Sequence, residues 1–380
     1  MSSGEITGWH YATRQPVRLC WRQGTISEIK ALQEAPAGLW IAPPLLDLQI
    51  NGYAGIDFQR DNLPMDDLLS ATHQLRAAGC ASYLLTLITD DWPLLMARLR
   101  HLRALRARSA ELQEAIAGWH IEGPFLSAEP GFCGAHNVAA MCDPKPEHID
   151  TLRQLTGNDP VLLTIAPERP GAIAAIARAV SLGIKVSLGH TNASLEALWE
   201  AVQTGATGFT HLGNGCPRDL DRHDNILWRV FETPGLTVSL IPDGIHLSPA
   251  LFRLIHRTIA TESIYYTTDA MAAAGAPPGS YKLGRLQLNV GADQIVRLPG
   301  KPNFAGSALR PLDGIVCAAE MLHCSWQEVW PRFSTAPAQL MGLAQSEFKI
   351  GEAATFCLLQ AVGFNRVESI QLYLRGKAPS

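Results

Sequence analysis

KVSLGHTNAS, residues 185–194, runs as an apolar stretch through Val186, Ser187 and Leu188, stops at Gly189 and then presents His190. A short apolar run bounded by glycine reads as a buried strand, and the residue beyond the glycine is the first free to emerge at its C-terminal edge. A histidine satisfied by backbone in a core or turn would look the same in one segment. What decides between chemistry and packing is whether other apolar runs end in the same way.

They do. In chain order the strand-like runs are PPLLDLQI (43–50), ASYLLTLIT (81–89), GWHIEGPFL (118–126), VLLTIAPE (161–168), IKVSLGHT (184–191), GFTHLGN (208–214), LTVSLIPDGIH (236–246) and SIYYTTDA (263–270). Helical patterns separate most of them. MDDLLSATHQLRAAG (65–79) sets Met65, Leu68, Leu69 and Leu75 along one stripe, and PGAIAAIARAVSLG (170–183) and SLEALWEAVQTG (194–205) both stop at glycine. Continuous apolar strands alternating with helices predict a parallel sheet covered on both faces, and eight of them suit a closed (β/α)8 barrel of the TIM type. A doubly wound open sheet is the other fold considered. The barrel is favoured because polar residues gather at the C-terminal ends of nearly all the runs: Gln49 and Asn51, Thr89, Glu122, Glu168, His190, His211, Asp243 and His246, and Asp269. In a barrel these ends converge on one mouth.

The two ends of the chain read differently. VRLCWRQGTISEIK (17–30), ATFCLLQAV (354–362) and VESIQLYLRG (367–376) are short alternating stretches, which predict β-strands. We expect residues 1–45 and 346–380 to pair in one small β-sandwich domain beside a catalytic barrel spanning 46–345.

Composition sets limits. With 47% hydrophobic and 17% charged residues in 380, the chain has the make-up of a folded soluble protein. A net charge of −4 offers no general basic surface, so nucleic acid is not an expected partner. The N-terminal stretch has no apolar signal region and no run approaches the ~20 apolar residues of a membrane helix, so the expected location is the cytoplasm. The eight cysteines are scattered without a CxxC pair and read as reduced thiols.

Glu122, His190 and His211 follow three different barrel strands and would point into one mouth. Two imidazoles and a carboxylate with a position left open for water make the ligand set of a catalytic metal of the zinc type. Asp269 ends the eighth strand, where a carboxylate can act as general base on such a water. It also precedes AMAAAG, so a helix N-cap is a second reading of the same residue.

LDLQINGYAGIDF (46–58), HIEGPF (120–125), GAHN (134–137), VSLGHTNAS (186–194), THLGN (210–214), DGIHL (243–247), TTDAMAAAG (267–275), AGSAL (305–309) and PAQLMGL (337–343) together resemble the N-acetylglucosamine-6-phosphate deacetylase family of the amidohydrolase superfamily. The resemblance implies that Glu122, His190 and His211 hold the metal and that Asp269 is the acid and base. It makes His136 a second catalytic residue, which contacts substrate and supports the acetyl carbonyl as an oxyanion forms. Asn214, Gly215 and His246 match positions that hold the sugar phosphate, and Arg222 matches an arginine that reaches the phosphate site of a neighbouring subunit, which implies a homodimer. Ala135, Phe304, Ala305 and Gly306 fall at further substrate positions. Many amidohydrolases carry His-x-His on the first strand, where this chain has Gln49 and Asn51; amides are poor ligands beside imidazoles. One metal is therefore expected, Zn²⁺ with Fe²⁺, Co²⁺ and Mn²⁺ as alternatives, and Gln49 beside it or near substrate.

The chain departs from the family pattern at Gly215 and Cys216, at the run Arg222, His223, Asp224, Asn225, and at Arg310. These positions bear on the sugar pocket. The implied reaction is metal-dependent deacetylation of N-acetylglucosamine 6-phosphate. The alternatives are another N-acetyl amino sugar such as N-acetylgalactosamine 6-phosphate, a cyclic amide, or a non-catalytic sugar-phosphate binding protein.

Overall fold

Each of the apolar runs becomes a strand, and the strands pair in chain order. In the computed structural model, which describes residues 2–300, 304–344, 346–363 and 366–378, the barrel strands are β1 (Leu45–Ile50), β2 (Cys80–Ile88), β3 (Ile116–Glu122), β4 (Val161–Ile165), β5 (Lys185–Leu188), β6 (Gly208–Phe209), β7 (Thr237–Leu240) and β8 (Ile264–Tyr266). Every neighbouring pair is parallel. The strands are buried on both faces because helices cover the outside, which is why their sequences read as continuous rather than alternating apolar runs.

The ring closes between β8 and β1. Ala270 bridges Ile50 in parallel register, and Asn51 N donates to the Ala270 carbonyl at 2.7 Å. Below this seam the buried Asp47 accepts from the hydroxyls of Thr267 and Thr268 and from Thr268 N. Removing a carboxylate from water pushes its pKa up, here to about 6, against the pull of those donated bonds.

The predicted helices form as Met65–Ala77, Ala172–Ser181 and Leu195–Thr204. Ser194 caps the last of these by accepting from Ala197 N. No helix starts at Asp269; Ala270 is instead drawn into bridges with Ile50 and Ser307, so the N-cap reading of Asp269 does not hold.

Strands from both ends of the chain share one six-stranded sheet, in the order Arg366–Tyr373, Phe356–Val362, Leu39–Ala42, Gly4–His10, Pro16–Arg22, Thr25–Ala31. It has its own buried cluster, in which Trp21 and Phe356 lie 5.7 Å apart. This is the separate sheet domain beside the barrel.

A three-stranded antiparallel insertion, Gly279–Leu283, Leu286–Val290 and Val296–Arg297, follows β8. Its turn is fastened to the loops after β1 and β2: Gly284 N donates to Asp57 at 2.8 Å and Arg285 to Asp90 at 2.8 Å. No helix among the described residues is long and apolar enough to cross a membrane. Cys20, Cys80, Cys133, Cys142, Cys216, Cys317 and Cys357 are free thiols.

Candidate active site

Glu122, at the end of β3, is the centre of the barrel mouth. Its Oε1 lies 2.9 Å from His211 Nε2 and 3.4 Å from His190 Nε2, and its Oε2 lies 3.9 Å from His136 Nε2. All four side chains are buried. Glu122, His136 and His190 form a group whose ligand atoms all lie within 4.8 Å of one another, enough to hold a metal ion.

The backbone delivers these groups in an unusual conformation. His190, His211 and Asp269, directly beyond β5, β6 and β8, have φ of 48°, 32° and 52°. The left-handed region is sparsely used by residues with a Cβ and is enriched at functional sites. The glycine before His190 has a local cause: a Cβ at Gly189 would lie 3.0 Å from Thr210 Cβ and 3.1 Å from Thr164 Cγ2, so any side chain there would have to push these neighbours aside. A Cβ at Gly215 would lie 2.8 Å from His190 Nδ1, so the loop after β6 closes directly on the imidazole ring.

The hydrogen bonds show whether these residues fit a metal. His190 Nδ1 is 2.8 Å from the Phe132 carbonyl, which can only accept, so Nδ1 carries a hydrogen. Nε2 then faces the carboxylate of Glu122 either as part of an imidazolium or across an intervening cation. A backbone carbonyl fixing the tautomer of a ligating histidine is the usual outer support of a metal site. Burial by itself would raise the pKa of Glu122, but hydrogen bonds from His190 and His211 outweigh it and hold the group well below the usual carboxylate range. Burial pushes His136 down to about 3, with the neighbouring His190 adding to the effect. The donor set is a buried anion among imidazoles, and it fits a divalent metal.

Asp269 stands opposite. Gln49 Nε2 donates to Glu122 Oε1 at 3.1 Å and to Asp269 Oδ1 at 3.0 Å, and Asn51 Nδ2 donates to Asp269 Oδ1 at 2.7 Å. Carboxylates accept, so both amides must turn their NH2 groups inward and neither offers its oxygen to the centre. Burial, with the Glu122 charge added, pushes the Asp269 carboxyl up to about 8. A cation among the ligands would bring it down.

The remaining sequence-predicted residues fall around this core. Asn214 donates through Nδ2 to the His211 carbonyl at 3.2 Å, and Gly306 sits against Asp269, where a Cβ would lie 3.2 Å from its carbonyl oxygen. Ala135 adjoins His136, and Ala305 is buried beside Phe304. His246 makes a ring contact with Phe304 at 5.3 Å and is held by Asp243. Arg222 is not brought to the site; it is exposed on the loop before the helix Ile226–Phe231 and its side chain contacts His223. Arg310 is paired with Asp313.

Three contributors went unassigned in the sequence. Asn51 reaches Asp269 because it is two residues after Gln49 and shares its face, a signal that strand periodicity contains. Thr89 Oγ1 lies 2.9 Å from His136 Nδ1 and 3.3 Å from the Glu122 carbonyl. The Phe132 carbonyl that fixes His190 has no side-chain signal at all.

A parallel barrel with a carboxylate, imidazoles and an aspartate gathered at its C-terminal mouth shares its fold with enamidase, which superposes with a TM-score of 0.57 at 13% identity, covering 99% of this chain and 95% of that one. The chain is 31% identical over 331 residues to N-acetylglucosamine-6-phosphate deacetylase of Danio rerio, covering 84% of this chain and 80% of that protein. It belongs to the N-acetylglucosamine-6-phosphate deacetylase family. The enzyme of that name from Bos taurus is 31% identical over 336 residues, covering 85% of this chain and 80% of its own. Among solved structures, an aspartate-to-alanine mutant of the Mycobacterium smegmatis deacetylase in complex with N-acetyl-D-glucosamine-6-phosphate matches with a TM-score of 0.88 at 28% identity, covering 100% of this chain and 99% of that one. No protein-family model matches the chain.

Proposed function

We propose that this protein hydrolyses the acetamide of N-acetylglucosamine 6-phosphate to glucosamine 6-phosphate and acetate. The observation that carries the reading is the pairing of Asp269 with the Glu122 and histidine cluster through the shared amide of Gln49. A base beside a metal-ligand set is what amide hydrolysis needs and what a sugar-phosphate binder does not.

Glu122, His190 and His211 would hold one divalent ion. Both imidazoles approach the same oxygen of Glu122, and the two first-strand amides donate to carboxylates instead of offering ligands, which favours a single ion. Zn²⁺ suits this set, and Fe²⁺, Co²⁺ and Mn²⁺ are alternatives. When bound, the ion supplies Lewis-acid polarisation of the acetyl carbonyl and lowers the pKa of a water towards ~7.

Asp269 receives the proton of the attacking water on Oδ2, since both amide donors occupy Oδ1. It then returns that proton to the departing nitrogen as the C–N bond breaks, which regenerates the carboxylate. His136 Nε2 faces the same space and would meet the carbonyl oxygen as it gains charge. That role needs a hydrogen on Nε2, and so requires Thr89 to turn its hydroxyl hydrogen from the Glu122 carbonyl, 3.3 Å away, to His136 Nδ1 at 2.9 Å.

His246, Asn214 and the backbone at Gly215 would receive the phosphate, with Ala135, Phe304, Ala305 and Gly306 along the sugar. Arg222 serves the site of a second copy, which makes the protein a homodimer. Support for that surface comes from Trp199 and Trp228, 46% and 39% exposed on the packed helices Leu195–Thr204 and Ile226–Phe231, with Trp228 Nε1 bonded to the Arg222 carbonyl. A phosphorylated substrate and free thiols such as Cys80 and Cys357 suit the cytoplasm.

The test is amine release from N-acetylglucosamine 6-phosphate before chelation, after it, and after Zn²⁺ is restored. N-acetylgalactosamine 6-phosphate and unphosphorylated N-acetylglucosamine are run alongside. Metal-dependent turnover greatest on the first compound is expected. Absence of turnover in metal-loaded protein would overturn the assignment, and preference for another sugar would move it to that sugar.

A further inference from the structure

We propose that Asp243 is a positioning residue for phosphate recognition: it fixes the ring of His246 so that Nε2 is the atom presented to the 6-phosphate. The inference rests on the reading of His246 given above and adds a residue with no role in it.

Asp243 follows β7 in the sequence DGIH and closes the turn on itself. Its Oδ1 accepts from Ile245 N and His246 N, both at 2.8 Å, and its Oδ2 pairs with His246 Nδ1 at 2.6 Å. The side chains of Asp243 and His246 are 5% and 8% exposed, so water competes little for these bonds. The hydrogen bonds from His246 and its backbone hold the carboxyl below its usual range despite burial. An ionised carboxylate can only accept, so the hydrogen between the two groups belongs to Nδ1.

Two consequences follow for His246. Its tautomer is set, and its ring cannot turn without breaking a short charge-assisted bond. Nε2 has no protein partner among the described residues and lies on the side away from Asp243. Phe304, at 5.3 Å and tilted by 62°, packs against the ring and limits it further. In either protonation state Nε2 matches a phosphate, accepting from the P–OH of a monoanion or donating to a phosphoryl oxygen. The substrate chemistry this device reads is therefore a phosphate monoester, with no contact to the acetamide.

Asp243 makes its side-chain bonds within its own turn and none to Glu122, His136 or Asp269, and the test uses that separation. Asp243→Asn keeps an oxygen for the two backbone N–H groups but turns an NH2 towards Nδ1, setting donor against donor. Asp243→Ser keeps a short acceptor and drops the ring contact, and serves if the asparagine variant does not fold. Steady-state kinetics of the metal-loaded enzyme are measured on N-acetylglucosamine 6-phosphate, and inhibition is measured with glucosamine 6-phosphate and with glucosamine. A rise of at least tenfold in KM for the phosphorylated substrate is expected, with the inhibition constant of glucosamine 6-phosphate rising in parallel. Values of kcat within about twofold of wild type and unchanged inhibition by glucosamine complete the expected pattern. Unchanged KM, or equal losses with and without the phosphate, would overturn the proposal. His246→Gln is run beside it. If that variant also leaves the phosphate preference intact, the assignment of His246 fails; if it abolishes the preference while both Asp243 variants keep it, only the positioning role fails.

Discussion

Asn51 donates its side-chain amide to Asp269 Oδ1 at 2.7 Å, the shortest polar contact that Asp269 makes through its side chain. Together with Gln49 it fills one carboxylate oxygen and leaves the other for a proton. Asn51→Leu removes that restraint but leaves the carboxylate in place, so kcat should fall by about tenfold to a hundredfold, less than the ~10²–10⁴-fold expected for losing the proton-transfer group itself. Metal content should stay at the wild-type level. Asp269→Asn should lose several orders of magnitude in kcat with metal retained. Single-turnover rates and metal analysis on the same preparations decide this. Near-normal turnover in Asp269→Asn would remove it from the mechanism.

The three histidines around Glu122 make different predictions. His190→Ala and His211→Ala should each lose most of the bound metal, measured as ions per subunit after gel filtration, because both face Glu122 Oε1. His136→Asn should keep the metal and lose kcat by about a hundredfold or more, the scale of an oxyanion donor. Loss of metal in His136→Asn with retention in His211→Ala would instead make Glu122, His136 and His190 the ligand set.

How far the sequence revealed this site follows from what each residue does. Glu122, His190, His211 and Asp269 were readable because each stands at the end of an apolar run, and a barrel brings such ends together. The left-handed backbone at three of them was not, since it follows from how each strand end meets its neighbour. Asp47 sits within an apolar run and its closure of the barrel depends on Thr267 and Thr268, more than 200 residues away. The insertion over residues 279–297 lacks a long apolar pattern because it is a small sheet lying over the barrel mouth, with alternate residues exposed. Long-range pairing is the information that local periodicity lacks.

Arg222 is exposed and its side chain contacts only His223 among the described residues, which leaves it available to a second copy. Arg222→Ala should raise KM for the phosphorylated substrate about tenfold or more while kcat changes little, as for loss of one charge-assisted phosphate contact. Mixing Arg222→Ala subunits with Asp269→Asn subunits gives hybrids in which an intact catalytic aspartate meets an intact arginine from the other chain. A low-KM component should then reappear. Its absence from a mixture shown to exchange subunits would place Arg222 in its own subunit's site or outside phosphate binding.

Acid sensitivity has a source remote from the mouth. His256, on the helix Pro249–Thr258, pairs through Nε2 with the Tyr266 hydroxyl at 2.9 Å and packs on Phe252. Burial, reinforced by the charge of Arg332, pushes its pKa from 6.5 down to about 3. The folded state therefore binds this proton less readily than the unfolded chain. The contribution to stability is complete above pH 6.5 and is lost as pH falls towards 3, with a slope of about 1.4 kcal/mol per pH unit, or roughly 2 kcal/mol between pH 6.5 and 5. His256→Gln keeps a polar partner for Tyr266 without a group that titrates. Denaturant melts at pH 7 and pH 5 should show a smaller loss of stability on acidification for the variant than for wild type. An equal loss in both would mean that His256 already accepts its proton in the folded state.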